Sequence, residues 1–317
     1  MTSRITVVGS LNMDLVIRSP RIPGPGETII GSDFQTVPGG KGANQAVAAA
    51  RLGGQVNMVG RVGKDSFADV LMDNLNSSKV DASYIKRDVD SATGVALIVV
   101  DDTGENIIVV ASGANMQVTE TDVEAAEQII KSSDVLLLQL EVPVKAVTRA
   151  AQIACQFGVT VILNPAPAQR LSPDLLNLVD IIVPNESEAE ILTGIHLSSQ
   201  VDLENASNRL LESGVKSVVI TLGGRGSFFA DSQPEGEYVN AFEIKPVDTT
   251  AAGDAFLGCL AVKIGEGSPL PEAVRWANAA GALAAMRFGA QTSLPSRDEV
   301  LQLISGESPE AIIRRET

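Results

Sequence analysis

Residues 5–9 (ITVVG) form a short apolar run closed by glycine, the pattern of a parallel strand buried on both faces. If the strand runs on, period two puts Asn12 and Asp14 on one face, where two polar groups can bracket a diol. An exposed edge strand would show the same alternation. Residues 21–31, rich in Gly and Pro, read as a loop. An Ala-rich helix is expected over 45–52, stopped by Gly53-Gly54, then a strand at 56–60 and a helix at 66–77. Residues 94–100 and 106–111 alternate like a hairpin around Asp101-Asp102-Thr103-Gly104, and this hairpin breaks the helix–strand rhythm. With residues 15–30 it could build a small separate sheet, a lid drawn from about 12–37 and 93–112.

From residue 119 the alternation is regular. Helix 119–131, strand 135–139, helix 144–157 and strand 159–163 follow one another. A short helix, strand 181–183, helix 186–192, helix 203–213 and strand 217–221 complete the series. The expectation is a single α/β domain over 1–317, a doubly wound, mostly parallel sheet flanked by helices, with the small β-sheet lid inserted. Ligands of such sheets sit outside the carboxyl ends of the strands. Glu141, Asn164, Asn185, Glu188 and the run TLGGRG at 221–226 fall there. A long Ala-rich helix with Trp276 and Asn278 is expected over 271–287, and residues 305–317 are polar enough to fray.

The densest chemistry lies at 247–258, VDTTAAGDAFLG. A β-leaning run at 243–247 enters it and an apolar helix from about 256 leaves it. Small residues, Gly253 and Asp254 between them suit a turn whose backbone amides stand clear, and the first amides of a helix form a natural anion site. Asp254 would sit beside the anion, able to accept a proton or hold a cation; an aspartate there is also a common cap. In TVPGGKGAN the paired glycines allow close backbone approach, with Lys41 and Asn44 projecting from the first helical turn. This is not a Walker loop, since Gln35 replaces its first glycine and Gly42 follows the lysine. TLGGRGS follows a late strand and reads as a tight hairpin bringing amides to a nucleotide, not as a dinucleotide fingerprint.

Composition narrows the field. The 317 residues are 44% hydrophobic and 20% charged, enough for a large core, and the formal net charge is -15. That charge argues against nucleic acid or an anionic membrane as partner, so positive potential must be concentrated locally. Cys155 and Cys259, in helical contexts, read as buried free thiols of a cytoplasmic protein. With His196 the one histidine and placed in a loop, a histidine-based metal site or Ser-His-Asp triad is left only if His196 itself serves.

GSLNMDL (9–15), GGKGANQAVAAARLG (39–53), PNESEAE (184–190), TLGGRGS (221–227) and DTTAAGDAF (248–256) together closely resemble the ribokinase (PfkB-type) family of carbohydrate kinases. The superfamily more often has glycine where Ala251 stands. The resemblance implies an ATP-dependent kinase that phosphorylates D-ribose at its 5-hydroxyl. It assigns the sugar to Asn12, Asp14, Gly40, Lys41, Asn44 and Glu141, the general base to Asp254, and phosphoryl stabilisation to the amides of Ala251, Ala252 and Gly253. ATP would meet Asn185, Thr221, Gly223, Gly224, Gly226, Gly253 and Asn278. Glu188 would help place Mg²⁺ through water, and Asp248, Thr250, Ala284, Arg287, Gly289 and Ser293 would supply oxygens to an activating K⁺. A homodimer through the lid sheet is also implied, in line with the exposed apolar edges of such a sheet. A helix N-terminus is expected to lower the pKa of Asp254. Related kinases acting on deoxyribose, fructose, a ketodeoxy sugar acid or a nucleoside are the alternatives, as is an idle sugar-binding protein; aromatics at 3% leave little surface to stack a base. A nicotinamide dehydrogenase would need a fingerprint in the first βα unit, which is missing.

Overall fold

The computed structural model describes residues 2–231 and 236–315. In chain order the elements begin β1 (Arg4–Val8), β2 (Asn12–Ser19), β3 (Phe34–Gly39), α1 (Lys41–Arg51), β4 (Gln55–Val62), α2 (Ser66–Ser77), β5 (Val80–Arg87), β6 (Gly94–Asp101) and β7 (Asn106–Ala111). Then come α3 (Glu120–Ala125), α4 (Glu127–Lys131), β8 (Val135–Leu138), α5 (Val144–Gln156), β9 (Thr160–Leu163), α6 (Pro173–Leu176), β10 (Ile181–Ile182), α7 (Glu186–Thr193), α8 (Gln200–Glu212) and β11 (Ser217–Thr221). The chain closes with β12 (Ser227–Ala230), β13 (Glu237–Val239), α9 (Ala252–Gly265), α10 (Leu270–Ala285), α11 (Arg297–Ile304) and α12 (Pro309–Ile313).

The main sheet has the order β13-β12-β11-β10-β9-β8-β1-β4-β5. It is parallel from β11 to β5 and antiparallel only at β12 and β13. Both faces of its central strands are buried, as their continuous apolar runs require. Ile5, Val7, Val135 and Leu137 pack with Ala46, Leu257, Leu260 and Ala277 of α1, α9 and α10. Val8, Leu136 and Leu138 face the other way, against Ala150 and Ala151 of α5 and Ala206 of α8. The order reverses beside β1, whose neighbours are β4 and β8, and this is the switch point where such sheets place a ligand. A second sheet, β3-β2-β6-β7, stands apart from the first. β7 is exposed along its whole length, with Ile107, Ile108, Val109 and Val110 bare. Among the described residues, no helix is long and apolar enough to cross a membrane.

Several elements depart from the sequence expectation. β5 has too few apolar positions to announce itself; it is an edge strand whose Asp81, Ser83, Lys86 and Arg87 face solvent. β3 falls where no strand was read within the expected lid, because pairing with β2, not a hydrophobic run, makes it a strand. The helix expected over 119–131 breaks at Ala126 into α3 and α4. Residues 243–247 form no strand; instead the Val247 and Asp248 N–H groups donate to the Ala285 carbonyl at 2.8 and 3.2 Å. The helix after them starts at Ala252, four residues before the expected position, so Gly253 and Asp254 belong to its first turn. Residues 309–313 do not fray, since α12 buries Ile312; residues 316 and 317 of that stretch lie outside the described residues. Cys259 is buried, but Cys155 is exposed because it falls on the outer side of α5.

Candidate active site

Two helix N-termini meet outside the carboxyl ends of β1 and β8, and they differ in one respect. The first amides of α1 are already occupied. Lys41 N–H donates to Glu141 Oε2 (3.2 Å), Gly42 N–H to Ser10 Oγ (3.3 Å) and Ala43 N–H to the Ser10 carbonyl (2.9 Å). Ser10 Oγ in turn donates to Glu141 Oε2 at 2.5 Å, joining the ends of β1 and β8. At α9, by contrast, the residue before the helix, Ala251, adopts a left-handed φ of 57° and no side chain caps the helix. Ala252 N–H donates to the Thr249 carbonyl at 3.2 Å, so this amide, expected to be open, is engaged. The Gly253 and Asp254 N–H groups find no acceptor among the described residues. A Cβ on Gly253 would meet no atom within 4 Å, so protein packing does not demand the glycine; it keeps open space before the free amides. α9, not α1, therefore begins with amides that are open to an acceptor from outside the protein.

The sugar-site candidates converge on the same place. Asn12 and Asp14 share one face of β2 as period two requires, and both are buried. A Cβ on Gly39 would overlap the Asp14 carboxylate, which accounts for the first glycine of GGKG. Gly40 has φ 88° and lies against the backbone of Asn12, which accounts for the second. Asp254 Oδ2 accepts from Asn44 Nδ2 and Oδ1 from Gln45 Nε2, each at 2.9 Å. Burial pushes the Asp254 carboxyl up, and Glu141 adds to the push, while Lys41 and the two amide donors oppose it. The expectation of a lowered pKa is corrected here: desolvation outweighs the helix terminus. Burial, Glu141 and Asp254 together raise Asp14 to about 7. Burial disfavours the charge on Lys41, but Asp254, Glu141 and Glu188 outweigh it and hold the amine above its ordinary value. One cation thus serves a group of carboxylates.

A cleft of about 230 Å³ is lined by Lys41, Asn164, Asn185, Glu188, Thr221, Gly253 and Asp254. A second, of about 630 Å³, is lined by Thr221, Gly223, Gly224, Phe242, Gly253 and Asn278 among others. Thr221, Thr249, Gly253 and Phe256 line both, so the two are one continuous channel with Gly253 at the junction. Cβ atoms on Gly223 and Gly224 would meet nothing within 4 Å, so these glycines also open onto ligand space. Gly226 differs: its Cβ would overlap the Val239 carbonyl, and its φ of 90° serves the turn into β12.

The pfkB family carbohydrate kinase model matches residues 2–297. The chain belongs to the pfkB family of carbohydrate kinases. It is 43% identical to the ribokinase of Haemophilus influenzae over 96% of this chain and 99% of that one. It is 44% identical to the ribokinase of Schizosaccharomyces pombe over 93% of this chain and 96% of that one. The structure of Arabidopsis thaliana ribokinase complexed with ribose and ATP superimposes with a TM-score of 0.89 at 33% identity, covering 96% of this chain and 99% of that one.

The remaining candidates of this pfkB chain are placed with varied freedom. Asn185 caps α7 by accepting from Glu188 N–H (2.8 Å), and Glu188 Oε2 accepts from Asn185 N–H (2.9 Å), a reciprocal capping box. Glu188 keeps its other oxygen for the cleft, and burial raises its carboxyl although the Asn185 N–H pulls it down. Asn278 lines the larger cleft, but its side chain is spent internally: Oδ1 accepts from Ser227 Oγ (2.7 Å) and Nδ2 donates to the Val239 carbonyl (3.0 Å). Asp248 accepts from Thr250 N–H and Gly289 N–H, each at 2.9 Å, which draws the 248–250 and 284–293 segments together. The Ala284 carbonyl accepts from Arg287 N–H (3.1 Å), the Arg287 guanidinium pairs with Glu299, and buried Ser293 donates to the Ala290 carbonyl (2.7 Å). His196 is exposed and pairs with Glu190, away from the cleft. Sequence reading assigned no role to Gln45 and Asn115. Asn115 accepts from Leu11 N–H and donates to the Leu11 carbonyl and to Asn12 Oδ1 (2.7 Å), which turns the Asn12 amide group outward. The one available signal for Gln45 was a polar residue inside an otherwise small, apolar helix.

Proposed function

We propose that this chain transfers the γ-phosphoryl group of ATP to the 5-hydroxyl of D-ribose, giving ribose 5-phosphate and ADP. The observation that carries the reading is the continuous channel whose two arms join at the uncapped start of α9, with Asp254 beside the junction. ATP-dependent kinase chemistry on a sugar follows from the family, and the named relatives favour ribose. The sugar lies at the end of the smaller arm that Lys41 and Asp254 line, held by Lys41 together with Asn12, Asp14, Gly40, Asn44 and Glu141 beside it. The nucleotide occupies the larger, along Thr221, Gly223 and Gly224, with Gly226 and Asn278 shaping its walls, and its phosphates reach past Gly253 to Asn185 in the smaller arm.

In the reaction the sugar O–H bond breaks as the new O–P bond forms. The proton passes to Asp254, and the bond to the departing ADP oxygen breaks. Asp254 suits the role because burial raises its carboxyl while Lys41, Asn44 and Gln45 keep it an acceptor. The free amides of Gly253 and Asp254, together with Lys41, stabilise charge on the transferring group, the main source of catalysis for a loose transition state. Glu188, with one oxygen uncommitted in the capping box, fits Mg²⁺ held through water, which when bound neutralises phosphate charge. Asp248, fixed between two loops by its backbone donors, with oxygens of Thr250, Ala284, Arg287, Gly289 and Ser293, fits K⁺, which would hold the turn into α9 in place.

The single α/β domain over 1–317 carries its small sheet as a lid on the sugar arm. A second copy of the chain covers the apolar run at Ile107, Ile108, Val109 and Val110, making a homodimer; light scattering that gave a monomer mass would remove this part. Two free cysteines and an ATP substrate agree with a cytoplasmic location. The test is ADP release with ATP and Mg²⁺ across ribose, deoxyribose, fructose and adenosine, with and without K⁺, beside Asp254→Asn. Ribose is expected to turn over fastest, K⁺ to raise the rate, and the variant to lose about 10²–10⁴-fold in kcat with the sugar still bound. A faster rate on another acceptor would sink the ribose assignment. Full activity in Asp254→Asn would sink the base.

A further inference from the structure

Behind Asp254 runs a chain of buried amides that can point only one way. The Val183 carbonyl accepts from Asn164 Nδ2 at 3.0 Å. A carbonyl cannot donate, so Asn164 must turn its oxygen toward Gln45. Gln45 Nε2 donates to that oxygen (3.4 Å) and to Asp254 Oδ1 (2.9 Å). Gln45 Oε1 accepts from Gln139 Nε2 at 2.5 Å. Gln45 and Gln139 are fully buried. Turning the Gln45 carboxamide over would set its oxygen against two oxygens and its nitrogen against another nitrogen. The orientation is thus transmitted from a backbone carbonyl at the end of β10, through the sheet's carboxyl edge, to the first turn of α9. Gly9 belongs to the same device, because a Cβ there would overlap the Gln139 side chain.

We propose that Gln45 and Asn164 are positioning residues for phosphoryl transfer, and that Gln139 locks them. They fix Oδ1 of Asp254 as a hydrogen-bond acceptor inside the protein. Oδ2, whose one donor among the described residues is Asn44, is left to take the hydroxyl proton: the sugar O–H bond breaks and an Oδ2–H bond forms. The inference rests on Asp254 being the base. The other charged groups that act on Asp254 are Lys41, Glu141, Asp14 and Glu188, and none of them is changed by the substitutions below.

The experiment compares Gln45→Met, which keeps volume and removes the donor, with Gln139→Met, which does not touch Asp254, and with Asp254→Asn. kcat and KM for ribose and ATP are measured from pH 5 to 9, with thermal melts as a check on folding. A donor to a charged carboxylate is worth enough that Gln45→Met should lower kcat about tenfold to hundredfold at pH 7. The acid limb of its kcat/KM profile should move up by about one to two pH units, with KM changed less than about threefold. Gln139→Met should shift the limb in the same direction by less, and it carries the test if Gln45→Met does not fold. A lower kcat with an unmoved limb, or a change in KM alone, overturns the positioning role and leaves the base intact. Wild-type turnover in Asp254→Asn overturns the base and this inference with it.

Discussion

Asp14→Asn should stabilise the ligand-free protein while impairing it as a kinase. In the folded chain Asp14 sits with burial, Glu141 and Asp254 all opposing its charge, and its pKa rises from 3.8 to about 7. A shift of about three units corresponds to about 4 kcal/mol at 1.36 kcal/mol per unit, an upper bound because water enters an open cleft. Between pH 4 and 7 the unfolded chain has lost this proton and the folded chain keeps it. The unfolded state then binds fewer protons, so stability falls as pH rises through that window and levels off above about 7. Asparagine has the same shape and no charge. The variant should match wild type near pH 4 and exceed it by about 1–3 kcal/mol at pH 8. Urea unfolding without ligand at pH 5, 6, 7 and 8 reads the difference, since the other titrating groups are common to both proteins. A variant no more stable than wild type at pH 8, or a gap that does not widen from pH 5 to 8, would refute the reasoning. Turnover on ribose should fall in the same variant, the cost of placing a carboxylate where a sugar must be gripped.

Two glycines separate packing from chemistry. Gly253→Ala introduces a methyl that meets no protein atom within 4 Å, so the melting temperature should hold or rise while kcat falls about hundredfold. An unchanged kcat would mean that the phosphoryl group does not pass there. Gly258→Ala does the reverse: its methyl would lie 2.5 Å from Ala48 Cβ and 2.7 Å from Ala49 N, forcing α9 away from α1. It should cost about 1–3 kcal/mol in urea unfolding and, because these helices carry Asp254 and Lys41, lower kcat as well. A stability equal to wild type would show that the two helices part without penalty.

The fold was legible because the central strands are buried on both faces and therefore read as continuous apolar runs, ITVV and VLLL among them. Elements whose existence depends on a partner were not. β3 and β5 are edge strands with few apolar positions, and the missing strand at 243–247 shows that β-leaning residues without a neighbour stay irregular. The convergence of the candidate residues was legible as well: small residues before Asp254, paired glycines before Lys41, carboxylates and amides at strand ends come together around one cleft.

Residue order alone says which residues can do chemistry and roughly where in the chain they stand. Residue type and period are local properties, and the motifs carry them. Which of these groups are free to act depends on the packed fold. It filled the amides of α1 with Ser10 and Glu141 and left those of Gly253 and Asp254 open. It spent the amide of Asn278 on Ser227 and Val239. It also reversed the expected shift of Asp254, because desolvation depends on everything packed around a carboxylate and the helix beneath it supplies only part of its surroundings. Hydrogen-bond occupancy and burial are set by residues more than a hundred positions apart, as Gln45 and Asp254 are, and no local pattern encodes them.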